Sequence, residues 1–122
     1  MAKHKKADEK ESLHLRGLVW IARGENNFLG HGRVELLENI KEKGSITLAA
    51  KSMEMSYKHA WDLVDSMNNQ SGEPLVEKVT GGKGGGGARL TEAGEKAIKL
   101  FHEFNADLLE FLRKEEVKFK IK

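Results

Sequence analysis

Residues 45–69, SITLAAKSMEMSYKHAWDLVDSMNN, carry the pattern of two helices joined by a tight turn. Gly44 supplies a stop for the preceding element, and Ser45 is a good N-cap for the first helix. Ile46, Ala49, Ala50 and Met53 recur at helical spacing, with small residues where another helix can approach closely. Glu54 and Met55 form the joint, and Ser56 is a second N-cap. Beyond it Ala60, Leu63, Val64 and Met67 make one buried face. The opposite face carries Lys58, Asp62 and Asp65, with Tyr57 and Trp61 along its edge. Short helix, turn and second helix with a polar, aromatic face is a helix-turn-helix arrangement. Its second helix, here 56–69, enters a DNA major groove with its N-terminal residues leading. From these residues alone a plain helical hairpin, with Tyr57 and Trp61 as packing residues, stands beside it.

The flanking segments build outward from this pair. Residues 30–44 form an amphipathic supporting helix with Val34, Leu37 and Ile40 inward and Leu36 beside them. Its outer face is an ordinary mixture of Glu38, Lys41, Glu42 and Lys43. After Pro74, LVEKVTGGKGGGGARL (75–90) holds two short β runs around a loop with six glycines in residues 81–87. A phosphate-binding loop needs a hydroxyl residue after Gly-Lys, but Gly84 follows Lys83, so that motif fails. The alternative is a hairpin whose bare tip can approach another surface closely. Lys78, Lys83 and Arg89 set three cations against Glu77 alone. A β-hairpin directly after a recognition helix is the wing of a winged helix, and its cationic tip (80–88) suits a phosphate backbone or minor groove.

Thr91 then caps a long helix, about 91–115, with Ala97, Phe101, Phe104, Leu108 and Phe111 stepping by four and three. Ile98, Leu109 and Leu112 widen the apolar stripe beyond what one small domain can cover, which implies a second copy. Dimerisation is therefore expected through Ile98, Phe101, Phe104, Leu108, Phe111 and Leu112. VKFKIK (117–122) alternates cation and apolar residue, as a short strand or a frayed tail would. At the other end, residues 13–24 alternate: Leu13, Leu15, Val19 and Ile21 point one way, Leu18, Trp20 and Ala22 the other. With a turn at 24–27 and a return through Phe28 and Leu29, they predict an N-terminal β-hairpin. Residues 1–12 lack periodicity and are expected to be a disordered charged tail. The expected fold is thus mainly α with small β-hairpins, a single winged helix-turn-helix domain over 13–122 with a long C-terminal dimerisation helix.

Composition excludes several classes. The 122 residues contain no cysteine, so no disulfide framework or thiolate metal site exists, and cytoplasmic residence is expected. No run reaches the roughly 20 apolar residues that span a bilayer, so no membrane partner is expected. A net charge of +2 permits nucleic acid without demanding it. His4, His14, His31, His59 and His102 lack ligand spacing, so neither metal nor cofactor is expected. His59, near the start of the second helix, fits a groove or phosphate contact better. Asp62 and Asp65 have no candidate base or nucleophile beside them, so no enzyme is expected.

GSITLAAKSMEMSYKHAWDLVDSMN followed by LVEKVTGGKGGGGARLTEAG resembles the DNA-binding half of the molybdate-responsive transcriptional regulators, the ModE family. The resemblance rests on Ser56-Tyr57-Lys58, Ala60-Trp61-Asp62, Met67-Asn68 and the Thr80–Gly87 run before Leu90-Thr91, and covers residues 30 to about 110. It implies a dimeric winged helix-turn-helix regulator acting at promoters of molybdate transport and molybdenum-cofactor genes. Trp61 and Lys83 are placed on the DNA side by the resemblance alone. The full expected DNA-facing set is Ser45, Thr47, Ser56, Tyr57, Lys58, His59, Trp61, Asp62, Thr80, Lys83 and Arg89, on an inverted-repeat operator. Directly sensing members of the family add a C-terminal module of small β-barrels that binds molybdate or tungstate. No such module follows within these residues. Molybdate is therefore expected not to bind directly, any response arriving through a separate effector protein. Two other functions stay open: a winged-helix adaptor dimer that binds protein, and an oxyanion-binding protein using the Gly-rich loop as a nest of backbone N–H groups.

Overall fold

Gly44 ends the first helix at φ 69°, ψ 20°, a left-handed conformation that costs a residue without Cβ little, and its N–H bonds back to the Ile40 carbonyl. Its own carbonyl accepts from Ala88 N at 3.0 Å, so the same glycine that releases the chain into the next helix also anchors the wing. The computed structural model describes residues 13–80 and 86–119. The charged tail, the centre of the Gly-rich loop with Lys83, and the final three residues lie outside them.

Strands β1 (Ile21–Arg23) and β2 (Asn26–Leu29) lead into α1 (His31–Lys43), α2 (Ile46–Ser52) and α3 (Tyr57–Gln70). Strands β3 (Val76–Val79) and β4 (Gly87–Leu90) follow, then α4 (Glu92–Glu115) and a 3-10 turn over Glu116–Phe119. Each strand pair is a separate antiparallel hairpin. The described residues thus form a winged helix-turn-helix of four helices and two hairpins with a long last helix. The caps read from sequence are made: Ser45 Oγ accepts from Leu48 N, Ser56 Oγ from His59 N and Thr91 Oγ1 from Gly94 N. Val34, Leu36, Leu37 and Ile40 of α1 meet Ile46, Ala49 and Ala50 of α2 and Ala60, Val64 and Met67 of α3 in one core. Burying each large apolar side chain contributes about 1.5–3 kcal/mol.

Two expectations change. The N-terminal strand does not extend over residues 13–24, since the ladder pairs only Ile21 with Leu29, Ala22 with Asn27 and Arg23 with Asn26. The return strand also begins at Asn26, inside the stretch expected to be turn. Residues 13–20 keep the alternation of an extended chain, with Leu15, Gly17 and Val19 half-buried, but they run against α4. Leu15 N donates to Glu116 Oε2 at 3.2 Å, and Gly17 lies on Leu108 and Leu112. A ladder lasts only as far as its partner strand, and β2 ends where α1 begins. At the other end, Glu116–Phe119 closes as a 3-10 turn rather than a strand, and the rest of the 117–122 stretch lies outside the described residues.

The wing is held at its base by Asn68 of α3. Its Oδ1 accepts from Leu75 N (2.8 Å) and Val76 N (3.2 Å), while its Nδ2 donates to Val76 O (3.0 Å). One side-chain amide thereby plays the part of a neighbouring strand at the start of β3. Beneath the wing, Gly94 lets α4 pass the Leu75 carbonyl, which a Cβ there would meet at 2.3 Å.

Candidate nucleic-acid interface

The helical wheel of α3 divides into three sectors around its buried Ala60, Val64 and Met67. Lys58, Asp62 and Asp65 lie outward and exposed. Lys58 Nζ reaches Asp62 Oδ2 at 3.0 Å, the i,i+4 contact that their spacing predicts. Toward the wing lie Tyr57 and Trp61, with ring centroids 6.4 Å apart and planes at 89°. The Trp61 indole N–H donates to the Tyr57 hydroxyl. On the other side, His59 lines a groove of about 260 Å³ with Trp20, His31, Arg33 and Leu63, under the N-terminal hairpin.

A second cleft, about 330 Å³, opens between the start of α2, the start of α3 and the wing. Ser45, Thr47, Tyr57, Lys78, Gly86 and Gly87 line it. The hydroxyl oxygens of Ser45 and Ser56 accept backbone N–H bonds as caps, which leaves each O–H to donate outward. Lys78 belongs to this set although the wing cations singled out from sequence for DNA were Lys83 and Arg89. Its alternation signal was present: Lys78 is two residues beyond buried Val76, hence on the inward face of β3. Its Nζ stands 4.6 Å from the centre of the Trp61 ring.

The structure therefore brings Ser45, Thr47 and Tyr57 together at the cleft, with Trp61 behind Tyr57 and Lys58 and Asp62 on the adjoining outer face. It does not gather the whole expected set. His59 faces the hairpin groove, on the far side of α3 from the wing cleft. Arg89 pairs across the hairpin, Nε to Glu77 Oε1 at 2.8 Å, on the face opposite Lys78 and near Glu73 and Glu92. Thr80 is exposed at the end of β3, and Lys83 falls outside the described residues. Arg33, missed from sequence, braces the back of α3 by donating to Ser66 Oγ at 2.9 Å and to the Phe28 carbonyl at 3.4 Å. Its partial burial pulls the guanidinium below its ordinary pKa.

The expected dimerisation set needs one correction. Phe101 is 1% exposed and packs edge-on against His31 at 5.1 Å, inside the core of a single chain. Helical spacing puts it in line with Phe104 and Phe111, but the domain body covers the first half of α4 and stops there. Ile98 is partly buried against the same core, and Leu108 and Leu112 are partly covered by residues near Gly17. Phe104 and Phe111, seven residues apart and so on one side of the helix, stay 46% and 57% exposed and form an apolar ridge on its distal half, while Leu109, 52% exposed, lies on the other flank.

No helix among the described residues is long and apolar enough to cross a membrane. The family model described as bacterial regulatory helix-turn-helix protein, LysR family, matches residues 32–95, from α1 through the wing into α4. The transcriptional regulator ModE of Yersinia pestis is 54% identical over 69 residues, which are 57% of this chain and 26% of that protein. The DNA-binding transcriptional dual regulator ModE of Escherichia coli K12 is 51% identical over the same length and shares. The molybdenum-pterin-binding protein MopB of Rhodobacter capsulatus is 41% identical over 112 residues, 92% of this chain and 41% of that one. The chain thus spans between about a quarter and two fifths of the length of these curated relatives. Among solved structures, ArgP from Mycobacterium tuberculosis aligns with 70% of this chain and 30% of that chain, at 24% identity and a TM-score of 0.47. Matched from α1 through the wing into α4, over more than half its length, the chain belongs to the bacterial regulatory helix-turn-helix family of LysR description, and part of it is similar in sequence to ModE regulators.

Proposed function

We propose that this chain regulates transcription by reading an inverted-repeat operator as a homodimer. In this reading α3 enters the major groove with Tyr57, Lys58 and Trp61 leading, and the Gly-rich wing meets the backbone or minor groove alongside. The observation that carries it is the cleft shared by α2, α3 and the wing, which sets Ser45, Thr47 and Tyr57 hydroxyls and the Lys78 ammonium around one concave surface beside exposed Lys58. Hydroxyls and ammonium groups are the donors that fix a protein on phosphates, while side chains at the start of a recognition helix reach base edges. Asp62 holds Lys58 and serves as its orienter, since a carboxylate facing DNA is otherwise repelled. Residence in the cytoplasm follows from this activity.

Pairing through the ridge of Phe104 and Phe111 supplies the second half-site. The name of the Rhodobacter capsulatus relative connects it with molybdenum, and promoters of molybdate transport and molybdenum-cofactor genes are the proposed targets. Residues 1–122 themselves act independently of molybdate, which reaches the complex through a separate effector protein or module. The test is selection of duplexes from a randomised pool, followed by titration of selected and shuffled duplexes at several salt concentrations. Enrichment of a two-fold symmetric sequence with salt-dependent binding is expected. Absence of any salt-dependent affinity overturns the reading and favours a protein-binding adaptor.

A further inference from the structure

Tyr57 stands where α3 meets the wing cleft, half exposed, and one neighbour already engages its hydroxyl. An indole N–H can only donate, so the bond from Trp61 Nε1 takes up one acceptor site of the Tyr57 oxygen. The phenol O–H remains as a donor. The two rings meet edge to face, an arrangement that the aromatic quadrupole favours. Lys78 closes the assembly from the wing, its ammonium 4.6 Å from the centre of the Trp61 ring, within the range of a cation–π contact. Side chains from two separate elements thus determine the hydrogen-bonding character of one exposed hydroxyl.

We propose that Lys78 and Trp61 are positioning residues that present Tyr57 as a hydrogen-bond donor to DNA. This rests on the DNA-binding reading above. The partner atom is an acceptor, either at a base edge (purine N7, guanine O6 or thymine O4) or on a phosphate. A cytosine amino group fits that place less well, because it leaves the phenol O–H without an acceptor and competes with Trp61 for the oxygen. Lys78 also faces the cleft with its own charge, so its indirect role must be separated from a direct phosphate contact.

The experiment uses the duplex that the wild-type chain enriches from a randomised pool, with a shuffled duplex as reference. Tyr57→Phe is expected to weaken binding to the selected duplex roughly three- to tenfold, the range of one hydrogen bond. Trp61→Phe and Lys78→Met should each weaken it roughly two- to fivefold. Combined with Tyr57→Phe, each should cost less than it does alone, because the part of its effect that runs through that hydroxyl is already lost. Lys78→Arg should restore binding, since a guanidinium also seats on an indole face. A base-edge acceptor spares the shuffled duplex in Tyr57→Phe, and 7-deazapurine substitution abolishes the difference if the acceptor is purine N7. A phosphate acceptor weakens both duplexes alike, and methylphosphonate substitution abolishes the difference. In a Trp20→Phe background, acrylamide quenching of Trp61 reports the array without DNA, and Lys78→Met should raise it with the thermal midpoint unchanged. Additive losses in the double variants, no loss in Tyr57→Phe, or unchanged quenching each overturn the proposal. A wild-type chain that binds no duplex at any salt concentration overturns the DNA-binding reading itself, a result reached before any variant is made.

Discussion

Glu54, in the turn between α2 and α3, sits at φ 55°, where an L residue pays roughly 1–2 kcal/mol for the crowding of its Cβ. The turn imposes that conformation because Met53 and Met55 N–H groups both bond back to α2 carbonyls, which leaves the chain one residue in which to reverse. Glu54→Gly should therefore raise stability by about 0.5–1 kcal/mol, the relieved strain less the extra entropy of an unfolded glycine. The check is a higher urea midpoint at unchanged slope; a lower midpoint would mean that the Glu54 side chain contributes more than its backbone costs. Four residues on, the Lys58–Asp62 contact is exposed on both sides and is worth only a few tenths of a kcal/mol to folding. Its value lies in aiming the ammonium. Lys58→Ala should weaken binding to a selected operator by about 1–3 kcal/mol while sparing random duplexes. Equal loss on both would make Lys58 a phosphate contact.

At the scale of elements, the wing is not an independent hairpin. Ala88 N bonds the Gly44 carbonyl, Asn68 pairs with the start of β3, and Thr91 N bonds the Leu75 carbonyl, so helix ends hold both strands at their base. An isolated two-stranded hairpin is marginal in water, and these ties provide what a third strand would. In the proposed reading the tip beyond Thr80 acts through charge. Lys83→Ala should weaken all duplexes alike and reduce the slope of log affinity against log salt by about one, as loss of one phosphate contact does. An unchanged slope would reduce the Gly-rich tip to a spacer. The α4 helix divides similarly by function. Its first half, through Ala97 and Phe101, belongs to the core, and its second half carries the exposed ridge.

For the whole molecule, the proposed pairing rests on that ridge. Twenty-four residues of helix run about 36 Å, longer than the body that covers the first turns. Phe104 and Phe111 together should contribute several kcal/mol when a partner covers them, at about 1.5–3 kcal/mol each. Phe104→Ser with Phe111→Ser is expected to give a folded monomer by sedimentation at tens of micromolar, binding single half-sites. The wild-type dimer should then prefer half-site centres about 34–36 Å apart or a multiple of that. A variant that stays dimeric would move the interface elsewhere. The same scale governs effector response. A small oxyanion needs convergent donors in a preformed pocket. The Gly-rich run 81–87 offers such an ion one cation, Lys83, and no hydroxyl side chain. Calorimetry of residues 1–122 with molybdate and tungstate should therefore show no micromolar binding, and neither ion should shift DNA affinity. A tenfold shift would reveal a sensing site within these residues.

Local chemistry wrote much of this protein directly into its sequence. Ser45, Ser56 and Thr91 start their helices because a short hydroxyl side chain satisfies free N–H groups nearby, and Gly44 ends α1 because it tolerates positive φ. The core of Val34, Leu37, Ile40, Ala60, Val64 and Met67 follows from a 3.6-residue period that any reader of the chain can count. Periodicity names a face but not what covers it. So Phe101 and Phe111 look alike in sequence, yet one is core and the other ridge, because only the packed body determines where cover ends. The same holds for residues 13–20, whose alternation suits a strand but which lie on α4 for want of a partner. It holds also for Lys78 and Arg89, eleven positions apart on facing strands. Hairpin register turns one toward Trp61 and the other toward Glu77, a choice made by contacts between elements distant in the chain.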